Sequence, residues 1–204
     1  MDDTSAFLKQ GLEQAQLELA DIVGGANLHL KPETVTRSLG ARIRARLKAL
    51  ETILRRLILV MAMALDLAPV KPRARQASAP VPEGVEDVTA SFRAHTRPAR
   101  RFTLMPRPLG APGTLPQASS MPPGPVPAAP LLAWAKSIYL VLNDPDAAAR
   151  RMARAVQRLK TRGEGRPYCR PMTGRHRMRP QLALVAGVLP GLVNRAFEAW
   201  NDSG

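Results

Sequence analysis

With 204 residues the chain has room for one good domain or two small ones, and a single cysteine, Cys169, excludes a disulfide framework. The formal net charge of +14 is carried by 24 arginines and only 6 lysines. That balance fits either an anionic partner (nucleic acid, anionic lipid, an acidic protein) or the arginine-rich composition of a GC-rich genome. Fourteen of the 20 prolines fall between Pro69 and Pro130, which leaves 1–68 and 131–200 to build a core, and eight aromatic residues make that core aliphatic.

Residues 5–23 predict an amphipathic helix. Leu8, Leu12, Ala15, Leu19 and Ile22 step by 4, 3, 4 and 3 and so share a face. Thr4 or Ser5 is placed to cap it, Gly24-Gly25 to end it, and Gly11 weakens it slightly. The segment 1–30 sums to −4, whereas 31–75 sums to +8, so an acidic helix precedes a basic one.

A second helix is expected from Pro32, at a first turn that tolerates proline, to about Leu67. Ile43, Leu47, Leu50, Leu54, Leu57 and Met61 alternate steps of 4 and 3, the seam of a coiled coil or a helical hairpin. Arg42, Arg44, Arg46 and Lys48 take the rest of the early surface. Past Ile53 the apolar stripe widens through Ile58 and Val60, which buries this half on several sides and leaves Asp66 at the edge, in water. "LILVMAMAL" is far short of the 20 or so apolar residues that span a bilayer, and MDDTSAFLKQ has acids where a signal peptide has positive charge. A cytoplasmic location is the expectation.

Residues 69–130 read as a proline-rich flexible linker, with neither helical nor strand periodicity. Within it, 91–108 gathers Phe92, Phe102 and Leu104 among five arginines, as a docking motif or as plain linker. The stretch "PPGPVPAAP", 122–130, reads as spacer ahead of a proline-reading groove.

Three further helices follow: 131–142, then 144–160 with Asp144 as cap and Pro145 in the first turn, then 181–200 with Pro190 predicting a kink or a break. Residues 161–180 form an arginine-rich loop between the last two. "GVLPG", 187–191, marks a proline kink with a close helix approach. Arg150, Arg154, Arg158 and Arg162 step by four, with Arg151 beside them, and run on into Arg166, Arg170, Arg175, Arg177 and Arg179. Four-residue steps put successive guanidinium groups about 6 Å apart, comparable to the spacing of phosphates on a strand. The competing reading is a solvated helix face.

Enzyme templates are missing: there is no Gly-rich phosphate loop, no G-x-S-x-G elbow and no HExxH. His29, His95 and His176 sit in separate segments, and with Cys169 they form no recognised metal spacing. Carboxylates fall mostly near helix starts, and Asp144 with Asp146 read as capping residues. No catalytic residue, metal, cofactor or small-molecule ligand is expected.

The expected molecule is mostly α: a helical module over 1–68, a linker, and a basic helical module over 131–204, unless both apolar regions pack into one bundle. Its expected role is that of a non-catalytic interaction or scaffold protein, pairing with a partner or with itself through the helix over 39–65. The acidic first helix against the basic second favours the intramolecular hairpin. The alternatives are nonspecific nucleic-acid binding through 150–179 and attachment to an anionic membrane surface.

Overall fold

Acids at positions 2 and 3 suit the positive end of a helix dipole, and the first helix starts there: α1 spans Asp2–Gly25 in the computed structural model, which describes residues 2–67, 124–174 and 178–200. Thr4 and Ser5 therefore lie inside the first turns and do not cap it. The remaining elements are a 3-10 turn at Leu28–Leu30, β1 at Thr34–Val35, α2 at Arg37–Met63, β2 at Val126–Pro127, α3 at Ala129–Asn143, α4 at Pro145–Thr161 and α5 at Pro180–Ala196. A second 3-10 turn, Glu198–Trp200, follows α5. The molecule is mostly α, as its periodicities require. Residues 69–123 of the expected linker, the 91–108 island among them, lie outside the described residues, but 124–130 are not the expected spacer: Val126–Pro127 form β2, and α3 starts at Ala129, two residues before the expected 131.

The second helix begins five residues later than Pro32. Thr36 is its cap, with the hydroxyl oxygen accepting from the Leu39 N–H at 3.4 Å, and 34–35 are extended instead. Those two residues pair antiparallel with β2, Thr34 opposite Pro127 and Val35 opposite Val126. The helix ends at Met63, short of Leu67, and Asp66 is exposed as expected.

α2 packs against each of the other four helices, and α1 packs against α3 and α5 as well. Ile22 of α1, Leu54 and Ile58 of α2, Ile138 of α3, Met152 of α4 and Leu189 of α5 are all at most 2% exposed and belong to one continuous core. The two apolar segments thus meet in one bundle. Phe197 and Trp200 close its end edge to face, ring centroids 5.4 Å apart. α5 runs through Pro190 without a break and stops at Ala196, four residues before the expected end.

α1 and α2 form the antiparallel hairpin that their charges suggest. Gly11 weakens α1 slightly and at the same time lets the two helices cross closely. A Cβ there would lie 2.7 Å from Leu57 Cδ2 and 3.4 Å from Val185 Cγ1 of α5. Leu57 is wholly buried, so making room for that Cβ means repacking its side chain within the core. Gly11→Ala is expected to destabilise by about 1–2 kcal/mol net, because overpacking outweighs the gain of about 1 kcal/mol in helix propensity. Gly24→Ala, also in α1 but with nothing within 4 Å, is the control, and helix propensity alone should leave it unchanged or raise its stability by up to about 1 kcal/mol. Denaturant midpoints of the two variants check this. The close approach predicted at "GVLPG" is not found: Gly187 and Gly191 are exposed, and a Cβ on Gly191 meets nothing within 4 Å.

Candidate anion-binding face

α4 is built as the sequence implies. Asp144 caps it, its carboxylate accepting from the Ala147 N–H at 3.0 Å, and Pro145 fills a position that needs no donor. Ala148, Ala149, Met152, Ala153 and Val156 are buried, mostly against α2. At 100° per residue the opposite side carries Arg150, Arg151, Arg154, Arg158 and Arg162 within an arc of about 120° and along about 18 Å. All five are exposed, and among the described residues none is in an ion pair with Asp or Glu.

The arginines beyond α4 are used differently. Arg166 donates from Nη2 to the Asn194 carbonyl at 2.9 Å, at the C-terminal end of α5, a carbonyl that also accepts from the Phe197 N–H at 3.2 Å. Arg179 precedes α5 and lies 3.7 Å from Asp21 and 3.9 Å from Glu18. Arg170 is exposed, and its backbone carbonyl accepts from Arg56 Nη2 at 2.6 Å. Arg175 and Arg177 lie outside the described residues, with His176. The ten-arginine tract is therefore not one surface: five residues share a helix face, and Arg166 and Arg179 hold neighbouring structure.

The loop after α4 is pinned. Asn194 accepts from the Cys169 N–H at 2.8 Å and donates to the Cys169 carbonyl at 3.1 Å. The Trp200 indole donates to the Glu164 carbonyl at 3.1 Å, and the Lys160 ammonium stands 5.3 Å from the Trp200 ring centroid. Burial pushes the Cys169 thiol up, with the charge of Arg56 opposing, which lowers its thiolate fraction and its reactivity. Tyr168, 72% exposed, is the aromatic that this loop presents to solvent.

The helix-pairing seam lies inside the molecule. Ile43, Leu47, Leu50, Leu54 and Leu57 are at most 2% exposed, and Met61 packs partly buried against the same core. Pairing between molecules through this seam would need α2 to leave the bundle.

Two acids that the periodicities do not single out are buried in mid-helix, not placed at helix starts. Glu51 of α2 accepts from the Trp134 indole of α3 at 2.9 Å and from Arg55 Nη2. Glu18 of α1 accepts from Nε and Nη2 of Arg46 at 2.9 and 2.7 Å. Both carboxylates hold helices together.

Fold and face together define a small helical bundle with one strongly cationic helix surface. Protein-family models, curated proteins and solved structures give no match to this chain. Among the described residues no group of three or more His, Cys, Asp or Glu could hold a metal ion, and no helix is long and apolar enough to cross a membrane.

Proposed function

We propose that the protein is a non-catalytic helical interaction protein of the cytoplasm, that the surface it offers is the arginine face of α4, and that its partner is nucleic acid held by its phosphates. The observation that carries this reading is five exposed arginines on the side of one helix opposite the core, outside any ion pair among the described residues. A face of that kind gives affinity without sequence readout, since bonds to phosphates position a duplex but do not read it. The spacing also suits a strand of phosphates better than scattered single charges. The apolar side of α4 lies in the core, so α4 itself would meet an anionic bilayer through charge and not through insertion of that face.

Fluorescence anisotropy of a random-sequence duplex across a salt series tests the proposal. Tight binding at low salt is expected, with log K falling linearly in log salt. Replacing Arg150, Arg154, Arg158 and Arg162 by Gln should reduce the slope by about 0.9 for each phosphate that is no longer neutralised. Replacing exposed Arg42 and Lys48 of α2 should change it far less. No binding at low salt sinks the reading, and equal weakening by both sets removes the face assignment. Flotation with anionic vesicles in the absence of duplex binding would transfer the role to a membrane surface.

A further inference from the structure

A second surface feature lies on other elements. Between α1 and α3 runs a groove of about 710 Å³, a size typical of small-molecule sites. Leu19, Val23, Leu132, Ala135 and Leu142 give it an apolar lining. Its charged lining is of one sign: Lys31 and Lys136 border it, with His29 beside them, and no Asp or Glu among the described residues does. Tyr139 stands at the edge, 58% exposed.

The walls are held before any ligand arrives. The 3-10 turn at Leu28–Leu30 closes one end, bracketed by Asn27 at φ 50° and Lys31 at φ 52°, a left-handed conformation that L-residues disfavour. The chain just after that turn is tied to the start of α3 by the β1–β2 pair and by the Ala128 N–H donating to the Glu33 carbonyl at 2.9 Å. Lys31 therefore stands at that end, and Lys136, at the end of the second turn of α3 and about 6 Å along from Leu132, lies in the half of the groove nearest it. From that end α3 extends about 16 Å along the groove and α1 about 10 Å. Two turns of α1 make a short wall for a docked helix, which reads its groove through anchors at i, i+3, i+4 and i+7.

We propose that this groove binds a medium-chain fatty-acyl carboxylate as a free monomer, the alkyl chain along the apolar lining and the carboxylate at the Lys31–Lys136 end. Charge complementarity selects the anion, and the closed cationic end orients it. The site shares no residue with the arginine face of α4, so it stands or falls separately from nucleic-acid binding.

The test is calorimetric titration of the full chain with dodecanoate below its micelle concentration, with dodecyltrimethylammonium as the cationic comparison. One saturable site is expected for the carboxylate and none for the cation. Ala20 is exposed on the groove wall, so Ala20→Trp fills the groove without touching the core; it should weaken binding by about tenfold or more. Lys31→Asp with Lys136→Glu should do the same, Asp being tolerant of the left-handed backbone. The four-arginine variant of α4 should bind dodecanoate as the parent does. Absence of saturable binding overturns the proposal. So does equal binding of the cation, or affinity that survives Ala20→Trp with an unchanged circular dichroism spectrum. Affinity lost in the α4 variant alone would equally refute it, by exposing binding to arginine charge.

Discussion

A Glu51→Ala variant is expected to lose about 3 kcal/mol of stability, seen as a lower denaturant midpoint, because it breaks a buried charged pair from one side. The Glu51 side chain is 6% exposed and accepts from Arg55 one turn along α2 and from the Trp134 indole on α3. Alanine deprives the buried indole N–H of this acceptor, a loss of about 1–3 kcal/mol by itself, and removes a carboxylate partner of Arg55. Glu51→Gln keeps an acceptor for the indole and should cost less than half as much. A loss under about 1 kcal/mol for the alanine variant would mean that packing alone holds α3 to α2. Glu51 and Trp134 stand 83 positions apart. The variant therefore also tests whether both segments unfold together: a single transition, shifted as a whole, is the expected result.

Which features could be read from sequence follows from how local their causes are. The seam was legible because Ile43, Leu47, Leu50, Leu54 and Leu57 repeat a helical step, and all five are core. The arginine face was legible for the same reason, as four-residue spacing on a well-capped helix. The propensity cost of Gly11 was legible, but its packing role was not, because the value of a missing Cβ depends on Leu57 and Val185, which no local pattern places beside it. The β1–β2 pair is two residues long on each side, too short for a period, and its partners are distant in sequence. Its formation is also why α2 starts at Arg37 rather than near Pro32. Glu51 did leave a signal: Leu47, Glu51, Leu54 and Ile58 step by 4, 3 and 4, which places a carboxylate in an apolar row. The end of the arginine helix near 160 was legible, but spacing alone could not show that Arg166 and Arg179, in the loop beyond it, are engaged with other elements.

The second large effect is expected at Arg46, which joins α2 to α1. Its guanidinium donates to Glu18 through Nε and Nη2 and to Asp21 at 2.5 Å, and the Glu18 side chain is only 6% exposed. Arg46→Met keeps most of the aliphatic stem and removes the charge. Glu18 is then left with Arg179 at 3.9 Å as the remaining cation among the described residues, and a loss of about 2–4 kcal/mol at neutral pH is expected. The pH dependence separates charge from packing. The hydrogen bond from Arg46 holds the Asp21 carboxyl below its ordinary value, the charge of Arg46 adds to this, and Arg179 contributes less. A carboxyl whose folded value is depressed stabilises the fold above its unfolded value, near pH 4, and loses that contribution as pH falls through the folded value. In the parent, this part of the stability should therefore persist at neutral pH and disappear only in acid below about pH 4. In Arg46→Met, Asp21 should titrate close to an ordinary carboxylate, and the stability gap between the two proteins should narrow as acid protonates Asp21. Denaturation across the acid range, with an NMR titration of the Asp21 carboxyl, measures both. A gap as wide in acid as at neutral pH would assign the contribution of Arg46 to its stem packing against the hairpin rather than to its charge.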